Sequence, residues 1–133
     1  MNVLFVCVEN AGRSQIAEAL FSRLVDDGRH AARSAGSDPA ERLHSQATEV
    51  LAESGINIRG RVPRRLEHDD VEWADVVVTM GCNGACPVVD GKRYLDWGLP
   101  DVRDATLEET RAIRDRLATL VIDLALELDA RRG

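Results

Sequence analysis

One stretch, Val3-Leu-Phe-Val-Cys-Val-Glu-Asn-Ala-Gly-Arg-Ser-Gln-Ile-Ala17, constrains the fold of this chain more than any other. The apolar run from Val3 to Val6 reads as a buried strand, and from Arg13 onward Ile16, Ala17, Leu20, Phe21 and Leu24 recur at helical spacing. Between them, Cys7 and Arg13 are separated by five residues and Ser14 follows, a C-x5-R-S pattern. A loop of this length can curl around a tetrahedral oxyanion, its N–H groups pointing inward and a helix N-terminus behind it. Arg13 adds a planar, permanently charged fork that grips two oxygens at once. Val8, Glu9, Asn10, Ala11, Gly12, Arg13 and Ser14 are therefore the candidate anion cradle. Cys7 lies at its base, where the positive surroundings draw a thiol toward its thiolate. Ser14 can donate a hydrogen bond to the sulfur, and Asn10 tolerates the left-handed backbone of a tight loop. The expected chemistry is a thiolate nucleophile beside a bound oxyanion. A plain core cysteine beside a surface arginine is the competing reading; strand, spacing, serine and helix together weigh against it.

Along the chain, the first helix is expected to stop near Asp27-Gly28, with a strand over His30–Ser34 and a second helix from Pro39 to Ser54, stopped by Gly55. Arg59, Arg61, Arg64 and Arg65 cluster in an irregular segment, either as a solvated face or as an anion-recruiting patch. A short helix is expected over Asp69–Ala74. Asp75-Val-Val-Val-Thr-Met80 has the continuous apolar character of a strand covered on both faces. A short strand at Arg93–Leu95 and a last helix over Leu107–Asp129 complete the pattern. Strands alternating with helices imply an α/β fold with a parallel sheet and helices on both faces. Its ligand crevice lies at the carboxyl ends of the strands, where Cys7, Cys82 and Asp101 should gather.

With 133 residues the chain suits one domain, residues 1–133, with a sizeable core. A net charge of −6 argues against nucleic-acid or anionic-membrane partners, and no apolar stretch is long enough to span a bilayer. Met1-Asn2-Val3 carries no signal-peptide pattern, so a cytoplasmic location is expected. The remaining cysteines, Cys82 and Cys86, share one loop with Gly81, Gly84 and Pro87. A metal pair there finds no second ligand pair among His30, His44 and His68. A redox relay of nucleophile, resolving thiol and exchangeable pair fits better, with no metal expected. Asp101 follows a Trp-Gly-Leu-Pro loop and is the candidate general acid; Asp90, Asp96 and Asp104 are alternatives.

Taken together, Cys7 to Ala17, Ser34-Ala-Gly36, Val77-Val-Thr-Met-Gly-Cys82 and Trp97-Gly98 resemble the arsenate reductases built on the low-molecular-weight tyrosine phosphatase fold, thioredoxin-linked or mycothiol-linked. The resemblance covers essentially the whole chain and implies a four-stranded parallel sheet. By position, it implies Cys7 as nucleophile, residues 8–14 as oxyanion cradle, Cys82 as resolving cysteine, Cys86 as third redox cysteine and Asp101 as catalytic acid. It implies arsenate as substrate, with phosphate or sulfate able to occupy the same loop. It also implies no tightly bound cofactor, an external reductant (thioredoxin, or mycothiol with mycoredoxin), and action as a monomer.

The chain departs from the family pattern in three places: the short Cys82–Cys86 spacing, Glu9 in place of glycine, and Val102 in place of proline after Asp101. The rival functions are a phosphotyrosine phosphatase using Cys7, Arg13 and Asp101, and a non-catalytic oxyanion sensor. Gln15 stands where phosphatases usually have proline, and Val102-Arg103 where they carry aromatic residues.

Overall fold

The computed structural model describes residues 1–25, 28–81 and 91–132. Four strands, β1 (Asn2–Cys7), β2 (Ala31–Gly36), β3 (Val76–Thr79) and β4 (Arg93–Asp96), form one sheet in the order β2-β1-β3-β4. Every neighbouring pair is parallel. The helices are α1 (Arg13–Leu24), α2 (Ser45–Glu53), α3 (His68–Trp73) and α4 (Leu107–Arg132).

The continuous apolar run of β1 follows from cover on both faces. Val3, Phe5 and Cys7 point into a core shared with Ile16 and Phe21 of α1, Val50 and Leu51 of α2, and Leu117 and Leu128 of α4. Leu4 and Val6 point the other way, onto Val71 of α3 and Ala74. β3 alternates in step, Val76 and Val78 to the first core and Val77 to the second. Phe5 anchors the larger core, its ring 5.7 Å from Phe21 edge-on and 5.9 Å from Trp97. The expected parallel sheet with helices on both faces is therefore what the chain forms.

Most element boundaries shift by one to three residues from the sequence reading, and the start of α2 shifts further. α1 ends at Leu24, with Val25 N–H donating to Phe21 O, and Gly28 adopts a left-handed φ of 84° beyond it. α2 starts at Ser45 and not near Pro39, because the residues ahead of it brace the Cys7 loop instead of coiling. The parallel register brings Cys7 beside Gly36, Val6 beside Thr79 and Thr79 beside Asp96, so the carboxyl ends of all four strands lie at one sheet edge. Among the described residues no helix is long and apolar enough to cross a membrane.

α2 and α4 are joined by Glu53, which accepts hydrogen bonds from Arg111 (2.7 Å) and Arg114 (2.8 Å). The Arg111 bond, helped by Arg114, holds its carboxyl down to about 2 from 4.5. Asp129 is also held low, by its bond from His30 and by Arg29. Burial pushes Asp70 upward, but bonds from Arg64 and the Glu67 N–H outweigh it and its carboxyl is lowered too. A carboxylate depressed in the native state leaves more protons on the unfolded chain as pH falls, so stability drops through that window. The urea midpoint should hold between neutral pH and about pH 5 and fall between 4.5 and 2, less steeply in Glu53→Gln.

Candidate active site

The Cys7 loop is held from outside by the segment after β2. Ser37, Asp38, Ala40 and His44 donate their backbone N–H groups to the carbonyls of Cys7, Val8, Glu9 and Ala11, at 2.8–3.1 Å. In a trans peptide the N–H of the next residue points opposite to the carbonyl. The N–H groups of Val8, Glu9, Asn10 and Gly12 therefore face away from that brace, and Asn10 N–H shows the direction by pointing at Cys7 Sγ (3.3 Å). Gly12 caps α1 directly behind. This is the inward set of donors that an oxyanion cradle needs. The brace leaves no room at Gly36, where a Cβ would sit 2.5 Å from Val8 O and 2.8 Å from Asn10 N. Gly36→Ala should destabilise the fold by about 1–3 kcal/mol through backbone displacement, read as a lowered denaturation midpoint.

Cys7 is 2% exposed, and its sulfur lies 2.9 Å from Ser14 Oγ. Asn10 Nδ2 donates to the same Ser14 oxygen at 2.8 Å. An amide NH2 can only donate, so the serine hydroxyl hydrogen is free to turn toward Cys7 and stabilise a thiolate. The Asn10 amide cannot be reversed, because Arg64 N–H donates to its Oδ1 at 2.8 Å. Asn10 adopts the expected left-handed conformation, φ 52°.

Arg13 is 6% exposed. Its Nη1 donates to Leu99 O at 2.8 Å, which fixes the guanidinium and leaves the Nε–Nη2 edge, the parallel donor pair that grips two oxygens. Nη2 lies 3.7 Å from Asp101 Oδ2, and Nε is buried with no hydrogen-bond partner among the described residues. A buried donor left unpaired is costly, and an anion oxygen at this edge would satisfy it. Gly81, at φ 85°, lets the chain pass the guanidinium; a Cβ there would meet Arg13 Nη1 at 2.9 Å.

Asp101 thus comes to the cradle as expected, about two-fifths exposed. Its Oδ1 accepts the Arg103 N–H at 3.1 Å, closing a turn. Val102 is fully buried and lies where a Cβ on Gly12 would be, 2.8 Å away, so the residue in place of proline packs under the helix cap. Gln46 Nε2 latches this loop through Val102 O (3.3 Å) and Ala105 O (3.0 Å).

The Glu9 charge is compensated: its Oε1 lies 3.5 Å from Arg103 Nε and 4.0 Å from His44 Nε2. Glu9, His44 and Asp101 place one potential ligand atom each within 4.8 Å of one another, the arrangement among the described residues that could hold a metal. Arg13 and Arg103 already neutralise the two carboxylates there, so the chemistry disfavours a further cation. A cavity of about 650 Å³ opens beyond Asp101, walled by Leu99, Pro100, Arg103, Ala112 and Ile113, with no aromatic ring among the described residues that line it.

Of the clustered arginines, Arg61 pairs with Glu18 at 2.7 Å and Arg64 with Asp70 at 2.8 Å, which ties the segment to α1 and α3. Cys82, Cys86 and Asp90 lie outside the described residues. The sequence reading missed the Leu99 carbonyl and Gln15, whose amide nitrogen binds Asn10 O (3.1 Å) and Oδ1 (3.0 Å). Gln15 differing from the proline of phosphatases was the only signal for it.

The family described as low molecular weight phosphotyrosine protein phosphatase matches residues 2–132. The glutaredoxin arsenate reductase of Synechocystis is 32% identical over 129 residues, 95% of this chain and 97% of that one. Among solved structures, the thioredoxin-dependent arsenate reductase of Corynebacterium glutamicum is 42% identical with a TM-score of 0.78, covering 95% of this chain but only 62% of that one. An arginine phosphatase from Geobacillus stearothermophilus is 27% identical with a TM-score of 0.84, covering 98% of this chain and 94% of that one. A match running from residue 2 to residue 132, over a parallel sheet whose first loop cradles Cys7, means that the chain belongs to the low molecular weight phosphotyrosine protein phosphatase family.

Proposed function

We propose that this chain reduces arsenate to arsenite, with Cys7 as nucleophile. The observation that carries the reading is Cys7 Sγ, 2.9 Å from Ser14 Oγ and 3.3 Å from the Asn10 N–H that points at it, in a loop whose carbonyls are tied outward. The thiolate displaces one arsenate oxygen and forms a sulfur–arsenic(V) bond; Asp101 supplies the proton with which that oxygen leaves as water. The Cys82 thiolate then attacks Cys7 Sγ. The sulfur–arsenic bond breaks, its electron pair reduces arsenic to arsenic(III), arsenite departs and a Cys7–Cys82 disulfide remains. Cys86 attacks Cys82, releasing Cys7 as thiolate, and thioredoxin reduces the Cys82–Cys86 disulfide.

Support for the relay comes from the sequence position of Cys82, next to Gly81, which abuts the Arg13 guanidinium. The thioredoxin-dependent relative at 42% identity supports the same choice of reductant. In the variant route mycothiol displaces Cys7 from arsenic(V), returning it as thiolate; a mycoredoxin thiolate then attacks the mycothiol sulfur, the sulfur–arsenic electron pair reduces arsenic, arsenite departs, and Cys82 and Cys86 are dispensable. Thioredoxin-coupled turnover of Cys82→Ser and Cys86→Ser decides between them. Loss in both supports the relay; full rates in both contradict it.

Phosphate-ester hydrolysis is the second reading, favoured by the pairing of Arg13 with Asp101 and by the arginine phosphatase likeness. Among the described residues the cavity beside Asp101 offers no ring to clamp a phosphotyrosine, so aryl phosphates should be slow side substrates.

A further inference from the structure

The geometry points to Gln15 as a positioning residue that sets the reactivity of Cys7 through Asn10. Gln15 is 3% exposed, and its Oε1 is buried without a partner among the described residues. A buried amide with one atom unpaired costs stability, so its retention calls for a compensating role. Its Nε2 meets both the backbone oxygen and the Oδ1 of Asn10, at 3.1 and 3.0 Å. These two bonds hold Asn10 in its left-handed conformation at φ 52° and fix the face its amide presents. Arg64 closes the clamp from the other side: its N–H reaches Asn10 Oδ1 at 2.8 Å, while its guanidinium is pinned by Asp70 (2.8 Å) and Ser34 O (2.7 Å).

Held in this way, Asn10 does two things for the sulfur. Its N–H points at Cys7 Sγ, and its Nδ2 occupies the Ser14 oxygen, directing the serine hydrogen to the sulfur. Gln15 touches neither sulfur nor anion, yet both donors to the sulfur pass through the residue it grips. Without that grip the Asn10 amide is released from its place, its Nδ2 no longer occupies the Ser14 oxygen, and the serine hydrogen loses its orientation toward the sulfur. The inference rests on Cys7 being the reactive thiolate, and not on which oxyanion it attacks.

Alkylation tests it without any oxyanion. In full-length protein carrying Cys82→Ser and Cys86→Ser, only Cys7 reacts with iodoacetamide, and its rate is followed from pH 5 to 10. Gln15→Met keeps the volume and removes the donors. The expected result is an alkylation rate at pH 6.5, relative to the alkaline plateau, lowered about tenfold, equivalent to a one-unit displacement of the profile. Arg64→Ala, at a half-exposed side chain, should shift the profile the same way by a smaller amount and serves if Gln15→Met does not fold. An unmoved profile with a lowered melting temperature would overturn the inference and leave Gln15 as a packing residue. Arsenate turnover absent in the parent protein, with the profile shift still present, would count against the proposed reaction and not against Gln15.

Discussion

Cys7→Ser should abolish arsenite production, lowering turnover by at least about 10^4-fold, while arsenate binding changes by no more than a few-fold. The reason lies in how the loop is built. Its carbonyls are tied outward to Ser37, Asp38, Ala40 and His44, so the inward N–H groups do not depend on the sulfur for their orientation. Arg13 is likewise fixed by Leu99 O and not by Cys7. The substituted loop keeps its shape and its anion donors but presents a hydroxyl, which stays protonated at neutral pH and gives the resolving thiol no sulfur to attack as arsenite departs. Calorimetry with arsenate beside an arsenite assay separates the two effects. Turnover within tenfold of the parent would mean that some other group carries the chemistry.

Arg13→Lys should lower kcat/KM by about 10^2 to 10^3-fold, the loss expected when a preorganised donor to developing charge is removed. Charge is conserved, so the deficit measures geometry. The guanidinium uses Nη1 on Leu99 O and keeps the Nε–Nη2 edge for the anion, beside Asp101 at 3.7 Å. One ammonium cannot hold the Leu99 loop and two anion oxygens together. The 97–105 segment would then lose its tie to α1, and the acid its place at the cradle. A drop of less than tenfold would show that the backbone N–H groups alone suffice.

Local signals carried most of this architecture. The runs Val3–Val6 and Val76–Val78 are apolar on both faces, so their place in a covered parallel sheet shows in composition alone. The C-x5-R-S spacing is one turn of chain and needs no distant partner to be recognised. What stayed hidden was non-local. Leu43, Ala47, Val50 and Leu51 read as a single helical stripe, yet the segment before Ser45 has backbone donors committed to Cys7, Val8, Glu9 and Ala11. No periodicity reports such a commitment. Glu9 looked like a misplaced charge because its counter-ion, Arg103, comes from the opposite end of the chain. The arginine cluster looked like one patch; Glu18 and Asp70, which divide it, lie on two different helices. Gln15 was legible only as a departure from proline, since its role depends on the fold of Asn10 beside it.

The most direct test of the account is a single turnover. Fully reduced protein is mixed with arsenate in the absence of external thiol; arsenite is then counted and the disulfides are mapped by mass spectrometry. One arsenite per chain and a Cys82–Cys86 disulfide are expected, with Cys7 returned to its thiol. No arsenite, with all three cysteines still reduced, would contradict it.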